Sequence, residues 1–259
     1  MKTLNFLTIA FFVLTLVGCS TQSDKKIHKF DQMAGKKIVI QQGTTFEAML
    51  KEKYPTFDVI KVPTSFDVFK TVIGGIAEYG IDEDISAIQM MSNGLSIDTS
   101  HIDMPPVPMG AIFNKSNVVL QQQFNVMIDS LEKCGRLDEI REKWFSSVTP
   151  SSIPIPECKV KRGEPLRAVT EADYPPFNMM VSGKVSGFDI ELMTIFAESL
   201  GRPLEVSAMA FDNLIPHIAA SKADFAIAGI SITKDRAEKV LFSKPYNYTY
   251  TTIVFLKEE

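Results

Sequence analysis

Ala228-Gly-Ile-Ser-Ile-Thr-Lys-Asp-Arg236 is the stretch of this 259-residue chain on which its reading turns. Phe225 to Gly229 is apolar and predicts a buried strand. Thr233 then offers a side-chain oxygen to cap a helix over residues 234 to 239. A strand that runs through a glycine turn into a helix presents backbone N–H groups to an anion, joined here by the hydroxyls of Ser231 and Thr233. Arg236 adds a planar fork of donors that fits both oxygens of a carboxylate. Taken alone, an arginine in such a helix is better read as a surface salt bridge, so the surrounding sequence must decide.

Upstream, Leu166 to Val169 predicts a strand that leads into Val169-Thr-Glu-Ala-Asp-Tyr-Pro-Pro-Phe177 and Gly187-Phe-Asp189. Asp189 is placed to cap a helix whose Leu192, Met193, Phe196 and Leu200 form an apolar stripe, and Gly201 ends it. Leu204 to Ala208 predicts a strand, and Phe211 to Ala220 a helix with Pro216 in its first turn. Tyr250 to Leu256 predicts a closing strand. The N-terminal half shares this architecture without repeating the sequence. Strands at 36–41, 59–62, 79–81 and 110–113 alternate with helices that follow Gly43-Thr-Thr45, carry Phe66, Phe69, Val72 and Ile73 on one face, and span 85–91. Such alternation implies an α/β fold with mostly parallel sheets.

Two helices lie between the halves. Phe124, Ile128 and Leu131 line the first, Gly135 closes it, and Leu137, Ile140 and Trp144 line the second. Ser146 to Pro156 is rich in proline and serine and reads as a linker. The apolar stripes at helical spacing are core.

At the other end, Lys2 precedes a nearly unbroken apolar run from Phe6 to Val17, which has signal-peptide length. Leu16-Val17-Gly18-Cys19 reads as a lipobox, so residues 1–18 are expected to be removed and Cys19 lipidated. Several acyl chains, at about 0.8 kcal/mol per buried methylene, anchor a protein stably without a spanning helix. Net charge is -4, from 27 basic and 31 acidic residues with no basic stripe, which argues against nucleic acid. Export would permit a disulfide between Cys134 and Cys158, and two free thiols are the alternative. The three histidines are scattered, so neither a metal nor a cofactor is expected.

Taken together, the Val169–Phe177, Gly187–Asp189 and Ala228–Arg236 motifs resemble the opening half of the family 3 extracellular solute-binding proteins, which feed amino acids to ABC importers. Gly35-Lys-Lys-Ile-Val-Ile-Gln-Gln-Gly-Thr-Thr45, ending in Gly135 and Lys143-Trp-Phe145, resembles the closing half. Here the closing half comes first. Either the gene is circularly permuted or the chain joins parts of a tandem protein. The resemblance implies a two-lobed, type II periplasmic-binding-protein-like α/β fold, each lobe a mixed, mostly parallel sheet flanked by helices. The expected layout is a tether at 19–32, lobe 2 at 33–113, closing helices at 114–145 that pack on lobe 1, a linker at 146–165, and lobe 1 at 166–259. If the chain is permuted, its end at Thr252 to Glu259 would once have run into Lys29 to Lys36. One interlobe crossing near Phe113 to Ser116 would then stay covalent and the other would be broken.

The same resemblance implies the ligand contacts. Gly229, Ser231, Thr233 and Arg236 match positions that hold the ligand carboxylate, with Phe242-Ser-Lys-Pro-Tyr246 following at family spacing. Tyr174 and Phe211 match aromatics that sandwich its aliphatic part, although core packing alone would also explain them. Glu171 stands where an aspartate often reaches the ligand. From lobe 2, Thr44 and Thr45 match a closing turn. The acid that meets the ammonium is Glu83 or, with a one-residue slip, Asp82. Capping of the following helix is the plainer role for these acids.

The function expected is a lipid-anchored binding protein, not an enzyme, on the periplasmic or cell-surface face of a bacterial membrane. It would act as a monomer that passes a free polar amino acid to an ABC permease. A ligand-sensing adaptor and a cyclohexadienyl-type dehydratase are the alternatives on the same fold.

Overall fold

The computed structural model describes residues 29–257. The expected signal segment 1–18, Cys19 and the tether up to residue 28 lie outside the described residues. After a 3-10 turn at Phe30–Met33, the chain alternates β1 (Lys37–Gln41), α1 (Thr45–Lys53), β2 (Asp58–Val62), α2 (Ser65–Ile73), β3 (Tyr79–Glu83), α3 (Asp84–Ser92) and β4 (Ile97–His101). It crosses between lobes through β5 (Val107–Met109) and β6 (Ile112–Phe113), then forms α4 (Val118–Lys133) and α5 (Arg136–Phe145). Next come β7 (Leu166–Thr170), the short strands β8 (Asp173–Tyr174), β9 (Asn178–Val181) and β10 (Lys184–Ser186), and α6 (Phe188–Ser199). The path ends with β11 (Leu204–Ala208), α7 (Leu214–Ala219), β12 (Phe225–Ala226), α8 (Lys234–Ala237), β13 (Leu241–Phe242), β14 (Asn247–Thr249) and β15 (Thr251–Leu256).

Two five-stranded sheets result, with orders β2-β1-β3-β15-β4 and β11-β7-β12-β6-β13. In each, the first three strands run parallel, and the fourth is an antiparallel strand that has just arrived from the other lobe. β1 is buried along Ile38, Val39 and Ile40, and β15 from Thr251 to Phe255, as central strands covered on both faces must be. This is the mixed-sheet, two-lobed α/β architecture expected.

α4 and α5 pack on the second sheet. Phe124 meets Phe196 of α6 edge-on at 5.0 Å between ring centroids, and Phe113 stacks on Phe225. Fully burying side chains of this size stabilises by about 1.5–3 kcal/mol each, which binds the closing helices to lobe 1.

The structure differs from expectation at the lobe boundaries. β15 belongs to the lobe 2 sheet and β6 to the lobe 1 sheet, so neither 166–259 nor 33–113 is a whole lobe by itself. Both crossings are covalent, one through β5 and β6 and the other through β14 and β15, and β5 pairs antiparallel with β14. The expected broken crossing does not exist, because the closing strand continues past the crossing into the lobe 2 sheet. Asp189 is not a cap: Gly187 takes that position, and Asp189 lies inside α6 with its side chain buried. Cys134 and Cys158 are separate thiols.

Candidate functional site

The end of β1 and the turn after it meet lobe 1 through three side-chain hydrogen bonds. Gln41 donates to the Glu171 carboxyl at 2.9 Å, and Gln42 donates to Asp212 at 2.9 Å. Arg236 donates through Nη2 to the Gly43 carbonyl at 3.0 Å. Gly43 sits at φ +77, and a Cβ there would stand 2.8 Å from the Asp212 Cβ, so only glycine allows this approach.

On the lobe 1 side, Thr233 caps α8 by accepting the Arg236 backbone N–H at 3.3 Å, as its position in the sequence predicts. Arg236 is only 9 % exposed. Its Nη1 donates to the Ser231 carbonyl at 3.0 Å, and its guanidinium lies 5.5 Å from the centroid of the Phe211 ring. A guanidinium has five N–H donors, so most of the fork remains uncommitted among the described residues. Burial pulls the Arg236 pKa down to about 10, against the attraction of Glu83, and the group stays charged at neutral pH. A cavity of about 460 Å³ opens beside it, lined by Gly43, Phe211, Leu214, Ile215, Ile230 and Lys239 among others.

Glu83, which attracts this cation, belongs to a cluster of acids. Glu171, at 4 % exposure, is pushed up to about 8, chiefly by burial and further by Glu83, Asp173 and Asp189, while the Gln41 bond works the other way. Asp82 is buried at the end of β3 and accepts from the Ser65 hydroxyl at 2.7 Å and from the Glu83 N–H at 2.7 Å. Burial dominates there too and raises it to about 6. Glu83, the residue that precedes α3, is raised well above the usual carboxyl range by burial and the adjacent Asp82. None of the three has a basic partner within 4.0 Å among the described residues.

Tyr174 is buried and stacks on Phe177, with ring centroids 4.8 Å apart and planes at 5°. Its edge covers Gly229, where a Cβ would stand 2.5 Å from Tyr174 Cε1. The structure thus brings Asp82, Glu83, Glu171 and Tyr174 into one electrostatic neighbourhood. Arg236, Phe211, Gly229, Ser231 and Thr233 form its lobe 1 floor. Thr44 and Thr45 are not brought to it by any contact among the described residues: the Thr44 hydroxyl donates to Gln41 O at 2.8 Å within its own turn, Thr45 opens α1, and Gly43 makes the cross-lobe contact instead. Sequence reasoning missed Gln41 and Gln42. Two glutamines that end an apolar strand just before a glycine turn were the available signal.

Residues 166–259, which supply this floor, match the sequence profile of the bacterial extracellular solute-binding proteins, family 3. The likeness to that family is confined to these residues. It is 35 % identical over 79 residues to the arginine-binding periplasmic protein of Mannheimia haemolytica, covering 30 % of this chain and 33 % of that protein. It is 39 % identical over 82 residues to the cyclohexadienyl dehydratase of Pseudomonas aeruginosa, covering 31 % of each. Its matches thus span about a third of the length of these curated relatives. Among solved structures, the arginine-bound domain 1 of TmArgBP is 36 % identical over 37 % of this chain and 82 % of that one, with a TM-score of 0.32.

Proposed function

We propose that this protein captures a polar amino acid between its lobes, favouring a cationic one, and delivers it to an ABC importer. The observation that carries this reading is the charge arrangement: a buried guanidinium with uncommitted donors is attracted by the half-buried Glu83, which interacts with the buried Asp82 and Glu171, and none of these carboxyls has a basic partner within 4.0 Å among the described residues. An α-amino acid would satisfy Arg236 with its carboxylate, and Glu83 or Asp82 with its ammonium. A second cation on the side chain would then meet Glu171. Phe211 and Tyr174 would flank the aliphatic stem, and Gly229, Ser231 and Thr233 would complete the carboxylate cradle. Closure would follow from contacts made only when the lobes shut, led by the turn that carries Thr44 and Thr45. The arginine-binding relative supports the cationic preference.

In the same proposal the protein is a monomer, lipidated at Cys19 and held at the periplasmic or cell-surface face of a bacterial membrane, and its order of segments arises by circular permutation. The dehydratase relative favours a second reading, in which a neutral Glu171 or Glu83 would serve as the proton donor.

Calorimetric titration separates the two. Arginine or lysine should bind and glutamate should not, and Arg236→Ala should abolish binding while the far-UV spectrum is kept. Unchanged affinity in that variant, or turnover of a cyclohexadienyl acid, would contradict the binding role.

A further inference from the structure

Asp189 is a fully buried carboxyl that the proposed ligand contacts do not use. One of its oxygens, Oδ2, accepts from Asn178 Nδ2 at 2.8 Å and from the Gly229 backbone N–H at 3.1 Å. The Tyr246 hydroxyl accepts that same N–H at 3.1 Å. Gly229, at φ +56, is therefore gripped from below by Asp189 and Tyr246 and covered by the Tyr174 ring.

Tyr246 also joins this network to the interlobe crossing. It stands directly before β14, donates its N–H to the Met109 carbonyl at 3.0 Å, and takes an Arg141 donor on its own carbonyl at 2.6 Å. Met109 ends β5, the strand that pairs with β14, and bridges to Ser231. If the only task of Asp189 were to fasten α6 to β9, the Asn178 bond would suffice. Instead, the oxygen that takes Asn178 also takes Gly229.

We propose that Asp189 is a positioning residue for ligand capture: it fixes the Gly229 N–H, and through it the turn that carries Arg236, against the crossing strands. The assignment rests on the amino-acid-binding reading above. A bond to a carboxylate is roughly twice as strong as one to a neutral acceptor, so the ionised form should hold the turn more firmly. The titratable groups around Asp189 are Tyr246, from the segment before β14, and Glu171, from the stretch between β7 and β8. No basic side chain pairs with it among the described residues.

The test titrates arginine into the wild type, Asp189→Asn and Tyr246→Phe by calorimetry. In parallel, the Gly229 amide resonance is followed from pH 5 to 9 by NMR without added amino acid. D189N should weaken arginine about tenfold, about 1.4 kcal/mol, with its thermal midpoint near the wild type. The Gly229 amide should titrate near neutrality in the wild type and in Y246F, and not in D189N. Wild-type arginine affinity in D189N, or a Gly229 amide insensitive to pH in the wild type, overturns the assignment. If D189N does not fold, Y246F decides, because its Gly229 amide must still titrate against Asp189. A wild type that binds no amino acid sinks the proposed function alone, and the amide titration still judges the position of Asp189.

Discussion

At Glu171 the extra methylene relative to aspartate lets the carboxyl reach Gln41 in the other lobe. This acid and two others share an unusual titration. Glu171 is raised to about 8, Asp189 to about 7 and Asp82 to about 6, each mainly by burial. All three hold a proton more tightly in the folded chain than in the unfolded one. Their contribution to stability is complete below the ordinary carboxyl values of 4.5 and 3.8, and it is lost as pH rises through about 6 to 8. Urea denaturation should therefore show stability falling between pH 5 and pH 8.5, by up to about 1.4 kcal/mol per pH unit for each carboxyl. Glu171→Gln should remove part of that slope above pH 6. A profile that is flat, or that rises with pH, would refute the account.

At the scale of elements, the contact between α5 and α6 turns on Glu191. Trp144 Nε1 donates to it at 2.6 Å, and Lys143 forms a salt bridge to the same oxygen. Both Trp144 and Glu191 are buried. Removing the carboxyl leaves a buried indole N–H without its acceptor, which costs about 1–3 kcal/mol. Glu191→Ala should lower unfolding free energy by about that much and shift the emission of Trp144, the single tryptophan of the chain. Unchanged stability would mean that the apolar packing of α5 alone holds these helices to lobe 1.

At the scale of the molecule, each lobe completes its sheet with a strand delivered by the crossing from the other. Two sheets that exchange strands are hard to fold separately, so residues 166–257 alone should be poorly stable. The permutation proposal makes a stronger demand. A rejoined variant that begins at 154, links 257 to 29 through a short flexible segment and ends at 153 should fold cooperatively. Its thermal midpoint should lie within a few degrees of the parent, because permutation at exposed ends leaves packing intact. Failure of that variant to fold would remove the support for permutation.

Much of this was legible in the chain alone. The alternation of strands and helices, the Thr233 cap and the two closing helices follow from local rules of period and capping, whereas the burial of Arg236 does not. The gathering of Tyr174, Glu171 and Arg236 was legible through resemblance carried by short motifs. The tertiary structure alone decided where Asp189 points, which lobe takes β15 and which turn touches across the cleft. Asp189 has the same sequence signature whether it caps α6 or grips Gly229, since only the packed neighbours tell the two apart. A strand likewise carries its hydrophobic pattern but not the address of its partners. Pairing between β15 and β3 depends on contacts far apart along the chain, and no local pattern encodes them.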